Sequence, residues 1–157
     1  LTCALREVGS PMSCHCSAEP TSDEDAFVGV WELLPDWSKY QFGDPPRSGL
    51  YSIRCENDEY HITMEWVSSE GEEHRMSYVG IPDGVDYAYV NPAIADTVSM
   101  TRVDSQILDS TSKKDGQVVA HARRILSADR KTMTVIQSSY IPMGKAYSNA
   151  SVYRRQQ

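Results

Sequence analysis

Between Gly29-Val30-Trp31 and Val152-Tyr153-Arg154-Arg155 the chain is cut about every ten residues by turn-forming residues, and the segments so defined are rich in Val, Ile, Thr, Tyr and Trp. Strands of that length joined by tight turns form sequential antiparallel hairpins, and such a meander removes its exposed edges by rolling up. Strands are expected at 27–34, 49–55, 60–68, 72–79, 85–90, 96–103, 106–112, 117–126, 131–140 and 145–155. Pro35 stops the first, and 36–40 has room for one helical turn at most. The expected fold is all-β: a single antiparallel up-and-down β-barrel of about 8–10 strands with little helix. Closure would bring the first and last strands together. Trp31 would then lie under Arg154 or Arg155 in a cation–π contact, with Gly29 beside it, as a structural seam that shuts the apolar floor against water.

With 157 residues the chain is about one domain long, and its 40% hydrophobic and 24% charged content is that of a globular protein. The barrel is expected over 27–157, preceded by a flexible tail or linker over 1–26 that is polar and acidic and holds Cys3, Cys14 and Cys16. Cys14-His15-Cys16 is half a metal site, and no second pair completes the four ligands zinc usually takes, so neither metal nor cofactor is expected. A disulfide from Cys3 to either tail partner would fit an exported protein, periplasmic or secreted, in preference to a cytoplasmic one. The net charge of −7 argues against a nucleic-acid partner. Arg123-Arg124 and Arg154-Arg155 read instead as a solvated face or a seam clamp. No apolar run approaches the roughly 20 residues of a helical membrane span.

The strands carry more Thr, Ser, Gln, Tyr and His than a solid core would use, which suits a wide barrel with a part-polar lumen. Tyr51, Trp66, Tyr78 and Tyr89 give broad apolar contact with a polar tip, apt for a flat hydrophobic ligand and equally apt for cross-strand packing. The sequence contains no nucleophile elbow, Walker loop, dinucleotide glycine pattern or zinc-protease helix, so no catalytic residue is expected. His61 and His121 are the remaining chemistry: inside a lumen either would serve as a general base or a haem ligand.

Gly29-Val30-Trp31, the Lys-Lys-Asp-Gly turn at 113–116 and the ending Ser151-Val152-Tyr153-Arg154-Arg155 resemble the calycin superfamily. Within it the pattern is similar to the fatty-acid- and retinoid-binding barrels and to the small bacterial lipocalin-like domains. The resemblance spans roughly 27–156 and implies a ligand site in the lumen. It implies that Arg123 corresponds to a buried arginine holding a ligand carboxylate, and Tyr153 to the tyrosine of an Arg-X-Tyr triplet whose arginine is here Ser151. The helix–turn–helix lid of that family does not fit between the first two strands, where Pro35, Pro45 and Pro46 fall.

The function expected is non-catalytic binding of a small hydrophobic molecule, as carrier or sensor, by a monomer or homodimer. Arg123, Ser151 and Tyr153 would be the polar contacts, with Tyr51, Trp66, Tyr78, Tyr89 and His121 as further lining. The alternative is a protein-interaction barrel with a filled core, such as an exported inhibitor or envelope accessory domain. A third reading is a haem-binding or isomerase-type barrel using His61 or His121.

Overall fold

Alternation in the sequence becomes alternation in space. In a computed structural model, which describes residues 25–140 and 146–157, Tyr51 and Ile53 are buried while Leu50 and Arg54 are exposed, and Leu108 and Ser110 are buried between partly exposed neighbours. The strands are β1 (Gly29–Leu33), β2 (Lys39–Tyr40), β3 (Ser48–Glu56), β4 (Glu59–Val67), β5 (Glu73–Gly80), β6 (Tyr87–Ala88), β7 (Thr97–Arg102), β8 (Ile107–Lys114), β9 (Gln117–Leu126), β10 (Thr132–Tyr140) and β11 (Ala146–Arg155). A single 3-10 turn, Pro35–Trp37, follows β1, its start set by the proline. The expected strand at 85–90 is reduced to the two residues of β6, and the short β2, not expected from the sequence, pairs with β11. Residues 1–24, with Cys3 and the Cys14-His15-Cys16 cluster, lie outside the described residues.

One antiparallel sheet runs in the order β5-β4-β3-β1-β11-β10-β9-β8-β7-β6. Tight hairpins need left-handed backbone, and Asn57, Asp58, Asp115 and Gly116 supply it at φ 51, 63, 50 and 73°. Among the described residues no ladder joins β5 to β6 or β7. That last gap is closed by side chains: a Cβ at Gly80 would come within 2.5 Å of Met100 Cε. The segment after β5 is stitched to β7 through Gly84 N–H to the Met100 carbonyl at 2.8 Å and a bridge from Asp83 to Thr101. The barrel is nearly closed, with both described chain ends at one end, the floor, and the long 34–48 connection at the other, the mouth.

At the seam Trp31 pairs with Arg155 and Tyr51, is fully buried, and donates its indole N–H to the Phe27 carbonyl at 3.1 Å. The Arg155 guanidinium lies 4.1 Å over the indole and donates to the carbonyls of Val28 and Arg130 at 2.8 and 3.0 Å, and to that of Ala26. Its neighbour Arg154 faces outward, 3.3 Å from Glu32. Register therefore decides between the two arginines, since residues directly opposite on paired strands share a face. Asp25 and Ala26, which the sequence reading assigned to the tail, belong to this floor: Ala26 packs on the core, and Asp25 pairs with Arg102, which also bonds Tyr60 and lies over the Phe27 ring.

Gly29 allows the guanidinium its approach. Its φ is 146°, and an added Cβ would sit 2.7 Å from Arg155 Nη1. Gly29→Ala is expected to lower stability by about 1–3 kcal/mol through backbone strain and displacement of Arg155, read as an earlier urea midpoint. An unchanged midpoint would remove this account of the seam.

Candidate ligand-binding lumen

The floor of the barrel is solid. Phe27, Trp31, Ile53, Ile62, Met100 and Leu108 meet there with no more than 1% exposure. Moving toward the mouth, burial ends at the same level on successive strands: Leu126 and Arg124 are buried but Ala122 and Ala120 are half-buried; Val135 is buried but Gln137 is exposed; Ile62 is buried but Met64 is not. The upper half of the inner face is thus accessible to solvent. Two hollows, of about 450 and 420 Å³, lie outside the lumen, beside Arg154 at the C-terminal end and over Val28, Val30 and Arg54 on the outer face.

Arg124 marks the boundary. Its cross-strand neighbours are Leu108 and Val135, so it points inward, and it is 2% exposed. Nε donates to the Tyr51 hydroxyl at 2.6 Å, Nη1 to Ser110 Oγ at 3.2 Å, and Nη2 to the Tyr78 hydroxyl. No carboxylate among the described residues forms an ion pair with it. Burial works against the charge, and hydrogen bonding to the tyrosine oxygens together with the nearby Asp109 carboxylate holds the guanidinium protonated. Burial pushes the Tyr51 and Tyr153 phenols far above their ordinary value, so each keeps its proton and remains a donor.

This constellation is rich in donors and poor in acceptors. Arginine has five N–H donors and no acceptor, and these contacts use one N–H from each nitrogen. The tyrosine oxygens that receive them still carry O–H protons to donate. An anionic oxygen entering here would meet several charge-assisted or neutral donors at once. Beside it, Tyr153 stands edge-on to Tyr51 with ring centres 5.5 Å apart, and Ser151 Oγ lies 2.7 Å from the Tyr40 hydroxyl, which reaches over from β2.

The structure sorts the residues singled out from the sequence by strand face. Tyr51, Tyr78, Ser151 and Tyr153 come together around Arg124. Tyr89 stands 6.3 Å from Tyr78, with its hydroxyl 3.4 Å from Met76 Sδ, and Trp66 stacks on His74 at 5.2 Å. Arg123 and His121 do not join them. Arg123 lies on the outside of β9, bidentate to Asp109 at 2.9 and 2.8 Å, with His121 3.7 Å from the same carboxylate. His61 is likewise on an outer face, 3.8 Å from Glu56 and from Glu59. The expected lumen arginine is therefore Arg124 in place of Arg123, a shift of one residue, and the histidines proposed for haem or acid–base work do not enter the lumen. Ser110 and Tyr40 were missed: Ser110 resembles every other strand serine, and Tyr40 lies in a segment read as loop.

The outer ion pair has its own pH signature. The Arg123 guanidinium holds the Asp109 carboxyl below its usual range, so the pair contributes stability above the ordinary aspartate pKa and loses it as pH falls through the lowered value. Asp109→Asn is expected to destabilise at neutral pH and to match the parent in acid. Thermal melts across that range would show it, and a pH-independent difference would refute it.

No protein-family model and no curated protein matches the chain in sequence. Its fold does match solved structures. Zebrafish ileal bile acid-binding protein in complex with cholic acid superposes with a TM-score of 0.50 at 9% identity, over 83% of this chain and 99% of that one. The chain has the fold of that antiparallel β-barrel. The siderocalin Ex-FABP aligns with a TM-score of 0.40 at 8% identity, over 85% of this chain and 75% of its own. In this barrel no helix among the described residues is long and apolar enough to cross a membrane, and the connection after β1 carries one 3-10 turn.

Proposed function

We propose that this barrel is a non-catalytic binder of a small apolar acid, with the acid group lodged against Arg124, Tyr51, Tyr78 and Ser110 and the apolar body in the upper lumen. One observation carries the reading: a buried arginine whose described partners are neutral hydroxyls. A buried cation with no carboxylate bonded to it, its nearest acid Asp109 being engaged by Arg123, is costly, and an anionic ligand offsets that cost on binding. Apolar burial supplies the remaining affinity, about 25 cal/mol per Å². The zebrafish protein of like fold was solved with cholic acid, an amphipathic carboxylic acid, which supports the reading.

The test is fluorescence titration with an environment-sensitive anionic probe such as anilinonaphthalene sulfonate, followed by displacement with palmitate. A saturable blue shift reversed by palmitate is expected. Absence of probe binding, or of displacement, overturns the proposal. It would favour instead a barrel acting through its exterior, the reading supported by the two hollows outside the lumen.

A further inference from the structure

The outer wall over β8 to β11 carries an apolar row. Ile107, Ile125, Thr134 and Val152 stand opposite one another across the four strands, and Leu34 extends the line, donating its N–H to the Val152 carbonyl at 2.7 Å. All five are partly exposed and each is flanked along its strand by a buried residue, so the row faces outward. Trp37, whose N–H bonds the Leu34 carbonyl at 3.1 Å, stands at the end of this row and is 68% exposed. A second row, on the mouth side, runs Asp109, Arg123, Ile136, Ala150, Lys39. Lys39 is exposed, and its ammonium pairs with no carboxylate among the described residues.

We infer that this wall is the contact of a symmetric homodimer, two copies packed face to face about a two-fold axis that runs along β10. The second row decides the occupant. Such an axis sets Ile136 opposite itself and every other position opposite the one equally far beyond β10. Lys39 then meets Asp109 of the other copy, and Arg123, the bulkiest side chain of the row, meets Ala150, the smallest. The Asp109 carboxylate, held by Arg123 at 2.9 and 2.8 Å, keeps lone pairs for an ammonium. In the first row the same operation joins Val152 to Ile125, Leu34 to Ile107 and Thr134 to itself, a strip whose burial supplies the driving force. No like charges oppose one another in either row. A barrel wall is convex, so the copies diverge away from the axis, and there the long side chains of Trp37 and Lys39 reach across. The opposite flank refuses the same operation. About β3 it would set Glu32 against Glu65, since both stand beside Leu50, and like charges so placed repel. The lumen lies on the other face of these strands and takes no part.

The experiment is sedimentation equilibrium of the full chain from millimolar to micromolar concentration, in reductant so that no disulfide through its cysteines contributes. A reversible equilibrium between one and two chain masses is expected. Ile136→Arg, which brings two guanidinium groups together on the axis, is expected to weaken the dimer about 30-fold, and Lys39→Glu, which sets carboxylate against carboxylate, about tenfold. Trp37→Ala is expected to weaken it about tenfold, as loss of an interface tryptophan commonly does. Val79→Lys, a new charge on the exposed outer face of β5, is expected to leave it unchanged. Far-UV spectra establish that each variant is folded, and Lys39→Glu, at an exposed side chain, keeps the test open where Ile136→Arg fails to fold. A monomer at every concentration overturns the inference. So does a dimer that Ile136→Arg and Lys39→Glu leave intact, or one that Val79→Lys dissolves in their place.

Discussion

Arg124→Met is expected to lower affinity for palmitate at least 30-fold while leaving the barrel folded. Removing one side of a buried, hydrogen-bonded charge pair typically costs about 2–5 kcal/mol, and each 1.4 kcal/mol is about a factor of ten. Methionine fills a similar volume, and exchanging a buried charge for an apolar group is often neutral for folding. Against that gain, Tyr51, Tyr78 and Ser110 lose a partner, at about 1 kcal/mol each, so the unfolding free energy is expected to move by less than about 3 kcal/mol. Arg124→Lys is expected to restore little, because a single ammonium cannot reach the separate oxygens a guanidinium fork spans. Methyl palmitate serves as the control: lacking the charge, it is expected to bind parent and variant alike. Palmitate affinity within twofold of the parent in Arg124→Met would remove Arg124 from the site.

Trp31→Ala carries the largest expected effect on stability. The ring is fully buried among Phe27, Tyr51 and the seam, and truncating a buried tryptophan costs about 3–5 kcal/mol. Arg155 loses its stacking surface as well, a contact worth about 1–2 kcal/mol when desolvated. Against a typical total of about 5–15 kcal/mol, that is enough to bring unfolding near room temperature. Trp31→Phe, which keeps most of the apolar volume but gives up the indole bond to Phe27, is expected to lose less than half as much. Urea unfolding of both variants decides the matter. A loss below about 1 kcal/mol in Trp31→Ala would mean that the floor does not depend on the seam.

How far the sequence discloses the molecule depends on which signal each feature uses. Turn chemistry is local, so the hairpins at Asn57-Asp58 and Asp115-Gly116 and most strand limits are readable, and β9 falls where expected. The meeting of Trp31 with a C-terminal arginine follows from closure alone. Which arginine is involved depends on register. Along β9 the inward set is Ala122, Arg124, Leu126 and the outward set His121, Arg123, Ile125: each has an arginine and an aliphatic residue, so polarity cannot separate them. The outward set is satisfied by partners on adjoining strands, Asp109 for Arg123 and Ile107 for Ile125, which only pairing reveals. A one-residue slip exchanges every side chain between lumen and solvent, which is how Arg123 came to stand for Arg124. Tyr40 is hidden for another reason: its two-residue strand exists because β11 offers an edge to pair with, a tertiary cause without a local pattern.

The line between β5 and β7, where side chains stand in for a ladder, gives the cylinder a longitudinal weak direction. Amides of β5 have only β4 beside them, and β7 beyond its two-residue pairing with β6 has only β8, so protection against deuterium should fall off along this line and be greatest in β10 and β11, each flanked on both sides. Glu73, His74 and Arg75 lie exposed at the start of β5, and such charges discourage a foreign strand from docking on the open edge. Fluctuations that widen the bore would then open along a single slit, leaving the zipped chain ends undisturbed.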